Sequence, residues 1–402
     1  MVLAGCLLAA SCGGEPQEVE AGPGAASTPT TVALTSTVGD LQDQRTPTVN
    51  DLADKPASYG VWNKLPDAPI PGRAGAVLAN VGSEVIVFGG DSAVCPAGAD
   101  CDILTPPHTS GAAFDLDAGT WRSIADAPVS MAWVGSVVVG SQVYALSNCS
   151  DGPRCPDGPA MLRYDVPTDA WDVLAAPPRG FYTLTAVGNR VVAYRGSDDA
   201  GDGADYRFDE VANQWLPIPD DPMPAMFDRF VVDLGGQLFL FGSVIGGDAK
   251  AVASFDFETS TWTERATGPR GFQAWRVGTV VYLNAHFSPE GGGIYDPASD
   301  EWSSLPPGPS DPSWRGDAAG VLAGEDSVFS YASGWILEVV GDEPRWRYIG
   351  DRPDTLALRR GEGAVVTAVS TSSGADGMFV FGGFDFGDDG EQVPASGWTW
   401  TN

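Results

Sequence analysis

Arg73-Ala74-Gly75-Ala76-Val77-Leu78, then Val85-Ile86-Val87-Phe88-Gly89-Gly90, Phe114-Asp115 and finally Trp121 make up the stretch on which the reading of this chain turns. It contains short apolar runs over 74–78, 85–88, 112–115 and 120–124. Runs of this length, bounded by Gly and Asp and lacking a helical period, read as strands. The pattern then recurs. Aromatic-Asp pairs return at Tyr164-Asp165, Phe208-Asp209, Phe255-Asp256 and Tyr295-Asp296, and a tryptophan at 171, 215, 262, 302 and 346. Trp62, ahead of the first copy, brings the tryptophan markers to seven. Four antiparallel strands per repeat of roughly forty to sixty residues make a propeller blade.

These marks resemble the kelch repeat over nearly all of 59–402. Phe88-Gly89-Gly90 and Phe381-Gly382-Gly383 close second strands, the aromatic-Asp pairs mark third strands, and the tryptophans mark fourth strands. Individual copies are degenerate: the second to sixth lack the full Gly-Gly, and Trp335-Ile336 stands where the sixth would place its aromatic-Asp pair. The chain closes with strand-like runs near 364–366, 378–381 and 398–400 and no fourth-strand tryptophan, whereas Val61-Trp62-Asn63-Lys64-Leu65-Pro66 is a fourth strand with nothing before it. Joining the two fragments gives an all-β, seven-bladed kelch-type propeller over 57–402, its last blade closed by an N-terminal strand, which removes the open sheet edges. The repeated tryptophans, glycines and aspartates are expected to serve packing, close approach and turn capping.

Composition bounds the function. The 402 residues carry a formal charge of −31, which opposes nucleic acid or an anionic bilayer as partner, since both need a basic footprint. Gly and Pro, 51 and 32 residues, are spaced between apolar runs and read as turn formers rather than low complexity. No apolar run is long enough for a spanning helix. Val2-Leu3-Ala4-Gly5-Cys6-Leu7-Leu8-Ala9-Ala10-Ser11-Cys12 resembles the end of a bacterial lipoprotein signal segment, 1–12, without a basic n-region. Cys6 fits the lipobox by letter. Cys12 fits by position and is the favoured lipid attachment site, because a polar tail follows it. Residues 13–56 have few large apolar groups and no periodicity and read as a disordered tether. The expected location is extracytoplasmic, lipid-anchored to the bacterial cell membrane.

The remaining cysteines form two evenly spaced pairs, Cys95/Cys101 and Cys149/Cys155. An exported chain favours two local disulfides, each worth roughly 2 kcal/mol for so short a loop. A four-thiolate zinc site is the alternative, with spacing wider than zinc pairs usually use.

Candidate site residues fall on the loop face, where second-to-third-strand loops over 91–111, 148–160 and 384–396 are long. Arg73, Arg179, Arg270, Arg315 and Arg360 precede first strands, with Arg229 at a similar place in the fourth repeat. Such arginines either ring the channel mouth as a ligand site for a carboxylate or sulfate, or bond loop carbonyls as kelch arginines do. Trp133, Trp275 and Trp314 are outside the blade markers and serve either sugar stacking or the core. The acidic runs 197–203 and 385–391 lack the spacing of a known calcium loop. Similarity to the kelch copper oxidases fails on composition. Those need two histidines and a tyrosine crosslinked to a cysteine, and here only His108 and His286 are present and the internal cysteines are expected to pair with each other, so no metal or other cofactor is expected. No nucleophile motif stands out.

Two functions follow. One is a monomeric, non-catalytic binding module for a glycan or protein ligand. The other, since some kelch propellers resemble sialate mutarotases, is an enzyme acting on an acidic sugar, with the arginines on its carboxylate and Glu362 or Asp317 moving protons. A fold shared by binders and enzymes does not decide between them.

Overall fold

The computed structural model describes residues 58–92, 106–147, 158–178, 180–199, 203–247, 249–271, 274–283, 292–306, 321–323, 327–330, 335–340, 343–350, 364–372, 376–383, 385–387 and 390–401. The signal segment with Cys6 and Cys12, the tether, Cys95, Cys101, Cys149, Cys155, Arg179, Arg315, Arg360, Trp314, His286, Asp317 and Glu362 lie outside the described residues.

Strands alone make up the described secondary structure, in a β-propeller arrangement. The first four-stranded sheet runs Val77–Val81, Glu84–Phe88, Gly111–Asp115 and Thr120–Ile124, each strand antiparallel to the next. Five further four-stranded sheets begin at Ser136–Val139, Thr183–Val187, Met226–Leu234, Ala274–Val277 and Val321–Ala323. The remaining one combines Ala364–Ser370, Asp376–Gly382 and Gly397–Thr401 with Val61–Lys64, whose register sets Trp62 opposite Trp400. The first strands touch in sequence order, and Ala364–Ser370 touches Val77–Val81 in turn. An extra hairpin, Asp385–Gly387 with Gly390–Gln392, stands in the last long loop.

A sheet of this kind buries both faces of its inner strands against its neighbours, so the inner strands read as apolar runs rather than alternating ones. Val85, Ile86, Val87 and Phe88 are all fully buried. The core is accordingly divided. One apolar cluster joins Ile86 and Phe88 to Leu162 and Tyr164 of the second sheet, and another joins Val85 and Val87 to Phe379 and Phe381 of the last.

Hydrogen bonds latch six of the seven four-stranded sheets to the one before, the exception being the sheet that holds Trp62, whose indole nitrogen is buried without a partner among the described residues. The indole N–H of Trp121 donates to Pro66 O (2.9 Å), Trp171 to Ala125 O (2.8 Å) and Trp215 to Ala175 O (2.7 Å). Trp262 donates likewise to Pro219 O (2.7 Å), Trp302 to Ala266 O (2.9 Å) and Trp346 to Pro306 O (3.3 Å). Each accepting carbonyl lies four residues after the tryptophan of the preceding sheet. Where the latched residue has an amide N–H, a second bond forms: Ala125 N–H to Asp169 Oδ1 (2.8 Å), Ala175 N–H to Asn213 Oδ1 (2.9 Å) and Ala266 N–H to Asp300 Oδ1 (3.0 Å). These acceptors sit two residues before the latching tryptophan, with left-handed backbones at φ 51°, 48° and 57°. Asn and Asp tolerate that conformation better than other side chains do.

Where the latched residue is Pro66, Pro219 or Pro306 no N–H exists, and the acceptor position is Gly119, Ser260 or Pro344 instead. The two positions change together within one chain. Asn213→Gly is therefore expected to cost about 1 kcal/mol, and Ala175→Pro to cost about that much less in the Asn213→Gly background than alone. Urea denaturation of the four proteins gives the coupling, and additive costs would show that the second bond contributes nothing.

The aspartates of the aromatic-Asp pairs cap the turns that follow. Asp115 Oδ1 accepts from Asp117 N (2.9 Å) and Ala118 N (2.8 Å), and Asp256 Oδ1 from Glu258 N (2.7 Å) and Thr259 N (3.1 Å).

Candidate functional site

Antiparallel order sends the first-to-second and third-to-fourth turns to one end of each sheet. At that end the connections are tight, with left-handed glycines at Gly82, Gly140, Gly188 and Gly278. The long second-to-third connections and the links between sheets share the other end. The candidate site is built there, around Arg73.

Arg73 is fully buried. Its Nε donates to Pro71 O (2.9 Å), Nη1 to Gly89 O (2.6 Å) and Ser110 O (2.8 Å), and Nη2 to Ser110 Oγ (2.9 Å). Burial pushes its pKa down to about 10. The guanidinium thus ties the start of the first sheet to both ends of the long loop that follows Phe88. Its backbone ties the first sheet to the last, since its carbonyl accepts from Gly383 N (3.1 Å) and its N–H donates to Pro394 O (3.4 Å). Of the two uses open to an arginine before a first strand, Arg73 has the one that serves loop carbonyls.

Arg229 is also buried, for a different reason. A register shift between Phe227 and Phe230 bulges the strand Met226–Leu234, and Asp228 within it has φ 49°. Bulges re-aim side chains. Here Arg229 meets three carboxylates: Nη2 donates to Asp205 Oδ2 (3.0 Å) and Asp221 Oδ2 (2.9 Å), and Nη1 pairs with Asp198 Oδ1 (3.4 Å). Burial opposes its charge, but Asp205, Asp198 and Asp221 outweigh that and hold its pKa above the usual value. Lys250 braces the bulge, donating from Nζ to Asp228 O (2.9 Å) and Ser243 Oγ (3.1 Å), and burial pushes that amine down to about 8. Asp198, from the acidic run 197–203, also takes the Met226 N–H on Oδ2 (2.8 Å), so its carboxylate serves the fourth sheet. Arg270 is exposed. Trp275 packs with Tyr282 among Val277 and Leu337, in the core.

Trp133 has another setting. Its backbone is left-handed at φ 61°, and its indole is 37 % exposed. For a bulky side chain that conformation costs roughly 1–2 kcal/mol, so the surroundings must impose it. They do so through Gly75: the Trp133 N–H donates to Gly75 O (2.7 Å), and a Cβ on Gly75 would stand 2.5 Å from the indole. Gly75 is itself left-handed, at φ 57°. The ring therefore rests on a bare α-carbon two residues from Arg73.

The same network positions a pair that no sequence spacing singles out. Ala74 and Asp91 exchange backbone hydrogen bonds at 2.8 Å each, Gly90 N donates to Met131 O (2.8 Å) and His108 N to Gly90 O (2.8 Å). Ser92 Oγ, held at this point, contacts His108 Nε2 and lies 2.8 Å from Gly72 O, to which it donates. Burial and then the nearby Arg73 charge lower the pKa of the His108 imidazole. Among the described residues no group of three or more His, Cys, Asp or Glu is arranged to hold a metal ion.

No protein family matches the chain, and no curated protein sequence does. Among solved structures the chain is similar to "Structure of YjhT", 14 % identical, covering 83 % of this chain and 96 % of that one with a TM-score of 0.41.

Proposed function

We propose that this chain is a kelch-type propeller of seven blades, closed by the strand Val61–Lys64, that acts as an extracytoplasmic, lipid-anchored, monomeric binding module for a glycan. The ligand approaches the loop face at the first sheet, where Gly89 and Ser110 of one long connection and Gly383 and Pro394 of another meet Arg73. The observation that carries this reading is Trp133: an aromatic ring, part exposed, held in a costly backbone conformation beside the keystone Arg73. A flat apolar face with a polar edge suits the C–H face of a sugar ring, and strain kept at a surface aromatic points to use rather than packing. The conversion of an acidic sugar has less support, because the guanidinium groups of Arg73 and Arg229 are engaged by protein acceptors.

A glycan array with the purified chain, followed by calorimetry on the hits, tests the reading. Trp133→Ala is expected to weaken binding by about 30-fold or more, the effect of losing an aromatic anchor worth about 2 kcal/mol. Gly75→Ala leaves the indole in place chemically but drives a methyl into it, and is expected to weaken binding to a similar degree. An array without hits, or hits that bind the Trp133→Ala protein as tightly as the parent, would end the proposal.

A further inference from the structure

The contact between Ser92 and His108 has no part in the binding reading. Ser92 is exposed at the protein surface and His108 is half-buried, so the hydroxyl is open to solvent while the ring behind it is held. The hydroxyl has one proton and two acceptors for it, Gly72 O at 2.8 Å and His108 Nε2. Turned toward Gly72 it is parked. Turned toward Nε2 it is a nucleophile in contact with its base, the relation required of a serine that attacks an acyl group.

In the structure the hydroxyl donates to Gly72 O while touching His108 Nε2, so a turn about its C–O bond brings the second arrangement. Partial burial and then the Arg73 charge disfavour the imidazolium, which favours Nε2 as a hydrogen-bond acceptor. Its backbone N–H is fixed to Gly90 O, and the strand end that carries Ser92 is fixed through the Ala74–Asp91 bridge, so both partners are held by the same frame. Trp133 belongs to that frame through Gly75.

The geometry points to a second activity at this face: hydrolysis of an O-acyl ester, with Ser92 as nucleophile and His108 as general base. Ser92 Oγ attacks the acyl carbonyl carbon and its proton passes to His108 Nε2. Collapse of the adduct breaks the ester C–O bond, and His108 returns the proton to the departing alkoxide, leaving an acyl-serine and an alcohol. Water then attacks the acyl-serine and gives a proton to His108. The Ser92 oxygen leaves and recovers that proton, releasing a carboxylic acid. Water is the sole co-reactant. An ester suits the pair better than an amide, because its carbonyl is the more electrophilic and an alkoxide is a much better leaving group than an amide anion.

The test uses the full chain with p-nitrophenyl acetate, and separately a fluorophosphonate probe followed by peptide mapping. Turnover is expected, with Ser92→Ala and His108→Ala each lowering it by about 100-fold or more, the usual contribution of a positioned base. The probe is expected on Ser92 and to be lost in His108→Ala. Ser92→Ala is expected to fold as the parent does, by circular dichroism, and to keep the parent's affinity for any glycan found on the array, which separates this activity from binding. Turnover unchanged in Ser92→Ala, or a probe adduct absent from Ser92, would overturn the assignment.

Discussion

Replacing Arg73 with Met is expected to lower stability by about 3–5 kcal/mol, the cost of leaving several buried acceptors without their donor. The side chain is wholly buried and gives hydrogen bonds to three carbonyls and one hydroxyl. Methionine fills much of the volume but leaves Gly89 O, Ser110 O and Ser110 Oγ without their donor, and each buried unsatisfied polar group costs about 1–3 kcal/mol. Arg73→Lys is expected to recover only part of the loss, since an ammonium supplies three donors from one point and cannot reach acceptors spread across a planar fork. The urea midpoint should fall while the denaturant slope holds, because the surface exposed on unfolding is little changed. A channel-facing arginine would behave in the opposite way, with stability nearly unchanged and anion binding lost. The pH dependence has a definite sign. Burial lowers the Arg73 pKa to about 10, so between that pH and its unfolded value the folded state binds fewer protons and stability rises with pH. Below about pH 10 the charge is present in both states and its burial cost is constant.

Those four bonds show what could and could not be seen in the chain beforehand. The blade was legible because its marks are periodic: Trp121, Trp171, Trp215, Trp262 and Trp302 recur at the same place in each sheet, and an apolar run beside a Gly-Gly can only be an inner strand. The aspartates after the aromatics were legible as turn caps for the same reason. What the tryptophans do beyond packing was written in the sequence but is visible only with both partners in view, because the accepting residue belongs to the previous repeat. Pro66 beside Gly119 and Ala175 beside Asn213 look unrelated until the latch joins them. The direction of an arginine was not legible at all. Arg73 and Arg229 occupy similar places in the sequence, but one meets backbone carbonyls and the other carboxylates, and the difference arises from a bulge that no local residue type announces. Ser92 and His108 stand sixteen residues apart across a loop, a separation with no period and therefore no signal.

Arg229→Met is the second large effect, and its pH dependence identifies the cause. With the guanidinium gone, Asp198, Asp205 and Asp221 lose the cation that all three pair with, and the expected cost at pH 7 is again about 3–5 kcal/mol. Burial already raises the pKa values of Asp205 and Asp221 above the ordinary carboxylate value in the presence of Arg229, which pulls them the other way. A carboxylate whose folded pKa is raised binds more protons folded than unfolded, so its ionisation costs stability as pH rises and the cost is relieved as pH falls. Removing the cation raises those values further. The deficit of Arg229→Met relative to the parent is therefore expected to shrink as the pH is lowered from 7 toward 4.5 through two carboxylates, whereas that of Arg73→Met, which involves no carboxylate among its bonded partners, should shrink less, through the single His108 imidazole whose cation burial and the Arg73 charge disfavour. Urea denaturation of both variants at the two pH values separates the cases. Parallel deficits would mean that the three aspartates do not act on Arg229 as a charge cluster. The proposed glycan site includes neither guanidinium, so any glycan affinity measured on the folded fraction should hold for Arg229→Met, far from Trp133 in the sheet order. It should fall for Arg73→Met only as far as the Gly75 support beneath the indole gives way.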